Sequence, residues 1–141
     1  MASKPTEKGM FVACYEIGGD KPGAPLFKVS LAVDAPTRIV AGLGRITQAI
    51  SPPLDILTQL HGQFSYMTVM PRVVHILVVA TGYPAVPHGG IGLVQANADL
   101  RMVLEEDWKS GTANYKYRDD GGNWVDIEQA PVKAVKCNTL G

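Results

Sequence analysis

Cysteine is scarce in this chain: Cys14 and Cys137, near opposite ends of the 141 residues, are the only two. They form no C-x-x-C spacing and have no histidine close by, so they suggest no zinc site and read as free thiols in a reducing compartment. Long apolar runs are missing as well. No segment offers the roughly 18 uninterrupted apolar residues of a membrane helix, and the opening MASKPTEK is polar, without the apolar stretch of a signal peptide. The expectation is a cytoplasmic protein without a membrane partner, and an outer-membrane barrel is disfavoured by the same absence of an export signal. Net charge is lacking too, since 13 lysines and arginines balance 13 aspartates and glutamates. No overall field recruits nucleic acid. With 46% hydrophobic residues, neutrality also removes the self-repulsion that keeps β-proteins apart.

Catalytic patterns are equally sparse. His61, His75 and His88 do not make an HxH or HExxH site, although His61 and His75 sit where they could face each other across a hairpin. No G-x-S-x-G turn presents a nucleophile, and Cys14 falls mid-strand. Glu105-Glu106-Asp107 is a consecutive run that reads as a solvated turn rather than a paired acid and base. Gly42 and Gly44 are not followed by a helix, and Gly89-Gly90-Ile91-Gly92 leads into a strand, so neither cradles a phosphate. The expectation is a protein that is not an enzyme and holds no metal and no cofactor.

What is present is alternation. Leu54 to Tyr83 holds two apolar segments that meet at Met70-Pro71-Arg72. On the first, Ile56, Leu60, Phe64 and Tyr66 recur at even spacing between polar residues, as on a half-buried strand. On the second, Val74, Ile76, Val78 and Ala80 point one way and Leu77, Val79 and Tyr83 the other, so both faces want cover. Further strands are expected over Met10–Ile17, Phe27–Val33, Arg38–Ile50, Val94–Leu104, Thr112–Arg118, Trp124–Ile127 and Pro131–Cys137. Gly42 and Gly44 mark a bulge or a point of sharp coiling. Ser51-Pro52-Pro53 leaves residues 51–61 open to a short helix or a strand. All ten prolines fall between the expected strands or at their ends. The fold class is all-β: an antiparallel β-sandwich or a small up-and-down (meander) β-barrel over residues 9–137, with tails at 1–8 and 138–141.

The strings GRITQAISPPLD (44–55), HGQFSYMTVMP (61–71) and HILVVATGYP (75–84) resemble those of a bacterial family catalogued only as domain of unknown function 1842, over about residues 9–100. The resemblance implies a β-rich, stand-alone protein and carries no catalytic motif with it.

Two kinds of surface remain. Tyr115, Tyr117, Asp119, Asp120, Asn123 and Trp124, with His88 in a second loop, place aromatic faces beside carboxylates and amides, which suits a glycan or a small apolar ligand. The same residues also fit a hairpin turn with a tryptophan packed beneath it. Met67, Val69, Val73, Val79, Val132 and Val135 are the apolar positions expected to carry self-association. The leading expectation is a non-catalytic protein whose partner is itself, in a homo-oligomer or filament with a structural role. The alternative is a small-ligand or carbohydrate-binding module.

Overall fold

The computed structural model of the protein describes residues 9–51, 53–69, 73–84, 95–119 and 121–137. It contains β1 (Met10–Gly18), β2 (Leu26–Asp34), β3 (Ile39–Gln48), β4 (Leu54–Val69), β5 (Val73–Pro84), β6 (Ala98–Glu105), β7 (Ser110–Arg118) and β8 (Trp124–Val135). Every strand pairs antiparallel with its sequence neighbour, and β1 also pairs with β8. The sheet therefore closes into an eight-stranded meander barrel. Of the two architectures expected, the barrel is the one formed. Residues 54–61 belong to strand β4, so the helical alternative does not hold for them. The expected tails at 1–8 and 138–141 lie outside the described residues.

Alternation decides which side chains enter the barrel. On β2, Phe27, Val29, Leu31 and Val33 are fully buried while Lys28 stays exposed. Opposite them stand Tyr15 and Ile17 of β1, and Val40 and Ile46 of β3, all buried. Phe64, Ile76, Val78, Leu100, Met102 and Leu104 continue the same core around the far side. Burying these groups is the main favourable term in the fold, at about 1.5–3 kcal/mol for each large aliphatic side chain. The lumen is a packed interior, not a channel. One end is closed by Trp108, from the β6–β7 turn, whose ring meets those of Phe11 and Phe64 edge-on, each with centroids 5.1 Å away. The Tyr15 hydroxyl donates to the Trp108 carbonyl at 2.8 Å and fixes that turn over the core.

Three expectations change in detail. Gly42 and Gly44 create no bulge, because the β2–β3 and β3–β4 registers run through them unbroken. They mark sharp coiling instead: a Cβ on Gly42 would strike the Ser30 carbonyl oxygen of β2. The bulge lies elsewhere, on β8, where Glu128 and Gln129 stand opposite the single residue Asn114 between the Ala113↔Ala130 and Tyr115↔Ile127 pairs. Its presence lets Trp124–Val135 run as one strand where two were expected, and Pro131 consequently lies inside β8. Pro131 is tolerated because β1 pairing starts only at Val132, beside an already irregular stretch of the ladder.

The third correction concerns the cysteines. Cys14 and Cys137 form a disulfide, with Cα atoms 5.2 Å apart across a sequence separation of 123. They are not free thiols. Closure of the barrel carries the end of β8 to β1, a proximity that no local spacing announces.

Candidate functional site

The β7–β8 hairpin carries the residues singled out for a ligand, and the period-two pattern splits them. Tyr115 and Tyr117 face inward and are buried, their rings 6.3 Å apart, with Tyr115 against Phe27. They belong to the core and offer no aromatic platform to solvent, which corrects their assignment to a rim. Burial, and then the neighbouring Tyr117, hold the Tyr115 hydroxyl far above the usual tyrosine range. Burial and then Asp119 raise that of Tyr117.

Asp119 organises the turn: its Oδ1 accepts from the amides of Gly121 and Asn123, each at 2.9 Å. Such an Asx arrangement explains Asp119 by local backbone chemistry. Asn123 is exposed in the same turn. Trp124 is 44% exposed, but Lys116 Nζ and Arg118 Cζ lie over its ring at 5.1 and 5.7 Å from the centroid. Arg118 in turn donates to Gln95 Oε1 at 2.6 Å. Asp120 and His88 lie outside the described residues.

Beside this hairpin the outer wall is concave. A groove of about 310 Å³ is lined by Asp99, Arg101, Asn114, Lys116, Asp126 and Glu128. Opposite charges alternate across it, since Lys116 pairs in register with both Asp99 and Asp126. The β8 bulge shapes the floor: Asn114 Oδ1 accepts from the Gln129 amide at 2.7 Å, and Gln129 adopts a positive φ of 56°. At the mouth of the barrel nearby, fully buried Thr58 donates to Asn97 Oδ1 at 2.7 Å, while Asn97 donates through its side chain to the Leu57 carbonyl at 3.2 Å. These bonds anchor the entry of β6.

His61 and His75 do not meet. His61 stands opposite Thr81 and His75 opposite Met67, with His75 Nε2 3.7 Å from Glu105. Among the described residues, no group of three or more His, Cys, Asp or Glu side chains could hold a metal ion. On the outer wall, Arg45 and Asp55 form a paired contact at 2.7–2.8 Å, and the hydrogen bonds from Arg45 lower the Asp55 pKa.

Of the residues expected to carry self-association, Met67 and Val79 are half-buried and point outward from β4 and β5. Val132 is instead in the core, opposite Gly111 and Ile17, which removes it from any outer surface. Val135 is half-buried at the barrel seam, opposite Cys14. Val69 and Val73 form the last pair of the β4–β5 ladder.

A different apolar face emerges on β1 to β3. Met10, Val12, Ile39 and Leu43 are 69, 59, 43 and 45% exposed. In register, Val12 adjoins Ala32 and Ala32 adjoins Ala41, so small residues fill the space between the four large ones. Asp34 lies between Met10 and Ile39 at one margin, and Ser30 lies between Cys14 and Leu43. Sequence reasoning missed this face because its members come from separate strands and only the register brings them together.

No curated protein is significantly similar to the chain. A family model matches residues 8–124, which takes in β1 to β7 and reaches the first residue of β8. The chain therefore belongs to the family described as Domain of unknown function (DUF1842).

Proposed function

We propose that this protein is a non-catalytic barrel that associates with further copies of itself through its outer wall, in a structural role. The observation that carries the reading is the face formed by Met10, Val12, Ile39 and Leu43. A closed barrel has already satisfied its core, so large apolar side chains left on the outside add nothing to closure. Grouped exposure of this kind marks an interaction surface. A second copy is the occupant we favour for two reasons. The chain has no net charge to oppose close approach, and a sheet face with the small residues Ala32 and Ala41 at its centre suits the self-complementary contact of a two-fold interface. Half-buried Met67 and Val79, on strands farther round the barrel, supply a second apolar area through which a dimer could extend.

The bonded cysteines favour a compartment in which disulfides persist. The cytoplasmic expectation rested partly on reading them as free thiols.

The test is the solution mass by light scattering over a dilution series, for the wild type and for Val12→Lys/Leu43→Lys. The wild type should exceed the 15.1 kDa chain mass and the double variant should fall to it with the fold intact by circular dichroism. A wild type that stays at chain mass at the highest concentration would overturn the reading.

A further inference from the structure

We propose that the Cys14–Cys137 disulfide is a thiol-exchange site, at which an external dithiol attacks Cys137 and thereby unfastens the barrel along the β1–β8 seam. The inference concerns a single barrel and does not depend on association between copies.

The seam differs from the other seven in kind. Those seven join strands that follow one another in the chain, whereas β1 and β8 come from its two ends. The β1–β8 register is also brief, from Cys14↔Val135 to Ile17↔Val132, while β4 and β5 pair from Thr58↔Pro84 to Val69↔Val73. The disulfide stands where the short register stops. Across the same seam, Lys133 Nζ and Glu16 lie 3.9 Å apart with the lysine side chain largely exposed, a pairing that holds little in water. The covalent bond is therefore the principal constraint on the two ends.

The two sulfurs are unequal. Cys137 is exposed, and Cys14 is 7% exposed with Ser30 Oγ 3.5 Å from its Sγ. Access directs a thiolate to Cys137, and the Ser30 hydroxyl is placed to donate to the sulfur that departs. In the first step one thiolate of the dithiol bonds to Cys137 Sγ. The Cys14–Cys137 bond breaks, its electron pair goes to Cys14 Sγ, and that thiolate takes a proton from water. In the second step the remaining thiol of the reagent, as its thiolate, attacks its own sulfur in the mixed disulfide. Cys137 leaves as a thiolate and is protonated. The protein gains two electrons and two protons, and the dithiol ends as a disulfide.

Cleavage frees a ring that spans the whole barrel. While the bond is intact, the two ends of the barrel stay joined however weakly β1 and β8 pair. Once it is cut, the four-residue register is what holds the seam, and its opening would bare Tyr15, Ile17 and Val132, whose side chains are core.

The experiment uses the full chain at one fixed concentration. Hydrogen exchange read by mass spectrometry compares the oxidised protein with the same protein reduced by tris(2-carboxyethyl)phosphine and with Cys137→Ser. Reduction and the substitution should each speed exchange at Cys14–Ile17 and Val132–Val135 by about a hundred-fold or more, with β3 to β5 unchanged. In parallel, brief exposure to glutathione followed by acid quenching and peptide mapping should find the mixed disulfide on Cys137. Seam exchange that is the same in all three samples would overturn the proposal, as would acceleration spread evenly over every strand. Glutathione on Cys14 would overturn the direction of attack. Two alkylatable thiols in the untreated protein would show that the bond does not form.

Discussion

Replacing Trp108 by alanine is the sharpest test of how the barrel is closed at one end. The ring is 6% exposed and lies edge-on between Phe11 and Phe64. Truncating a buried aromatic to alanine costs about 3–5 kcal/mol, because transfer free energy is lost and the vacated space refills only in part. For a chain of this size that corresponds to a fall in Tm of roughly 10–17 °C. The backbone adds a second, independent signature. Trp108 has a φ of 65°, in the left-handed region, which costs a residue with a Cβ about 1–2 kcal/mol and costs glycine nothing comparable. Trp108→Gly should therefore be at least as stable as Trp108→Ala, a reversal of the usual order for a residue without special backbone needs. Thermal melts of the two variants beside the wild type, followed by circular dichroism, give both quantities. A loss below about 1 kcal/mol in Trp108→Ala would refute the plug. A glycine variant clearly weaker than the alanine one would refute the backbone argument.

Other perturbations follow from the core. Burial raises the ionisation of Tyr15, Tyr115 and Tyr117 above the usual tyrosine value of 10.0. Since the folded state keeps these protons longer than the unfolded one, stability should hold below pH 10 and fall as the pH rises beyond it. Urea midpoints between pH 8 and 11 check the sign, and a midpoint that rises with pH would contradict it. Tyr15→Phe should cost about 1 kcal/mol for its bond to Trp108, whereas the Tyr115 hydroxyl is buried without a partner among the described residues and its removal should be neutral or stabilising. Gly42→Ala should cost more than about 3 kcal/mol, because the added methyl meets backbone that cannot yield. Gly23→Ala has open space around it and only a positive φ to overcome, so soluble yield and urea midpoint should separate the two.

How far the sequence carried can be judged from particular residues. Period-two patterning placed β1 and β2 within a residue or so of their limits, because one buried face per strand leaves a local record, and it left the start of β4 open between strand and helix. Sandwich and barrel stayed unresolved, since the difference lies in the pairing of Cys14–Ile17 with Val132–Val135 at opposite ends of the chain. The disulfide was missed for the same reason. Tyr115 and Tyr117 were a different kind of miss. They alternate with Asn114, Lys116 and Arg118, so the pattern already turned them inward, and reading them by chemistry rather than by parity put them on a rim. The face of Met10, Val12, Ile39 and Leu43 depended on register, which periodicity leaves free.

Joining Cys14 to Cys137 has a mechanical corollary. The residues between them form a covalent ring that contains β2 to β8 and the latter half of β1. A pull applied at the two ends of the chain is carried by the S–S bond before it reaches those strands. Of the described strand residues, only Met10–Ala13 lie outside the loop and can be peeled away under tension. While the bond is intact, the barrel cannot be drawn out from its ends like a thread.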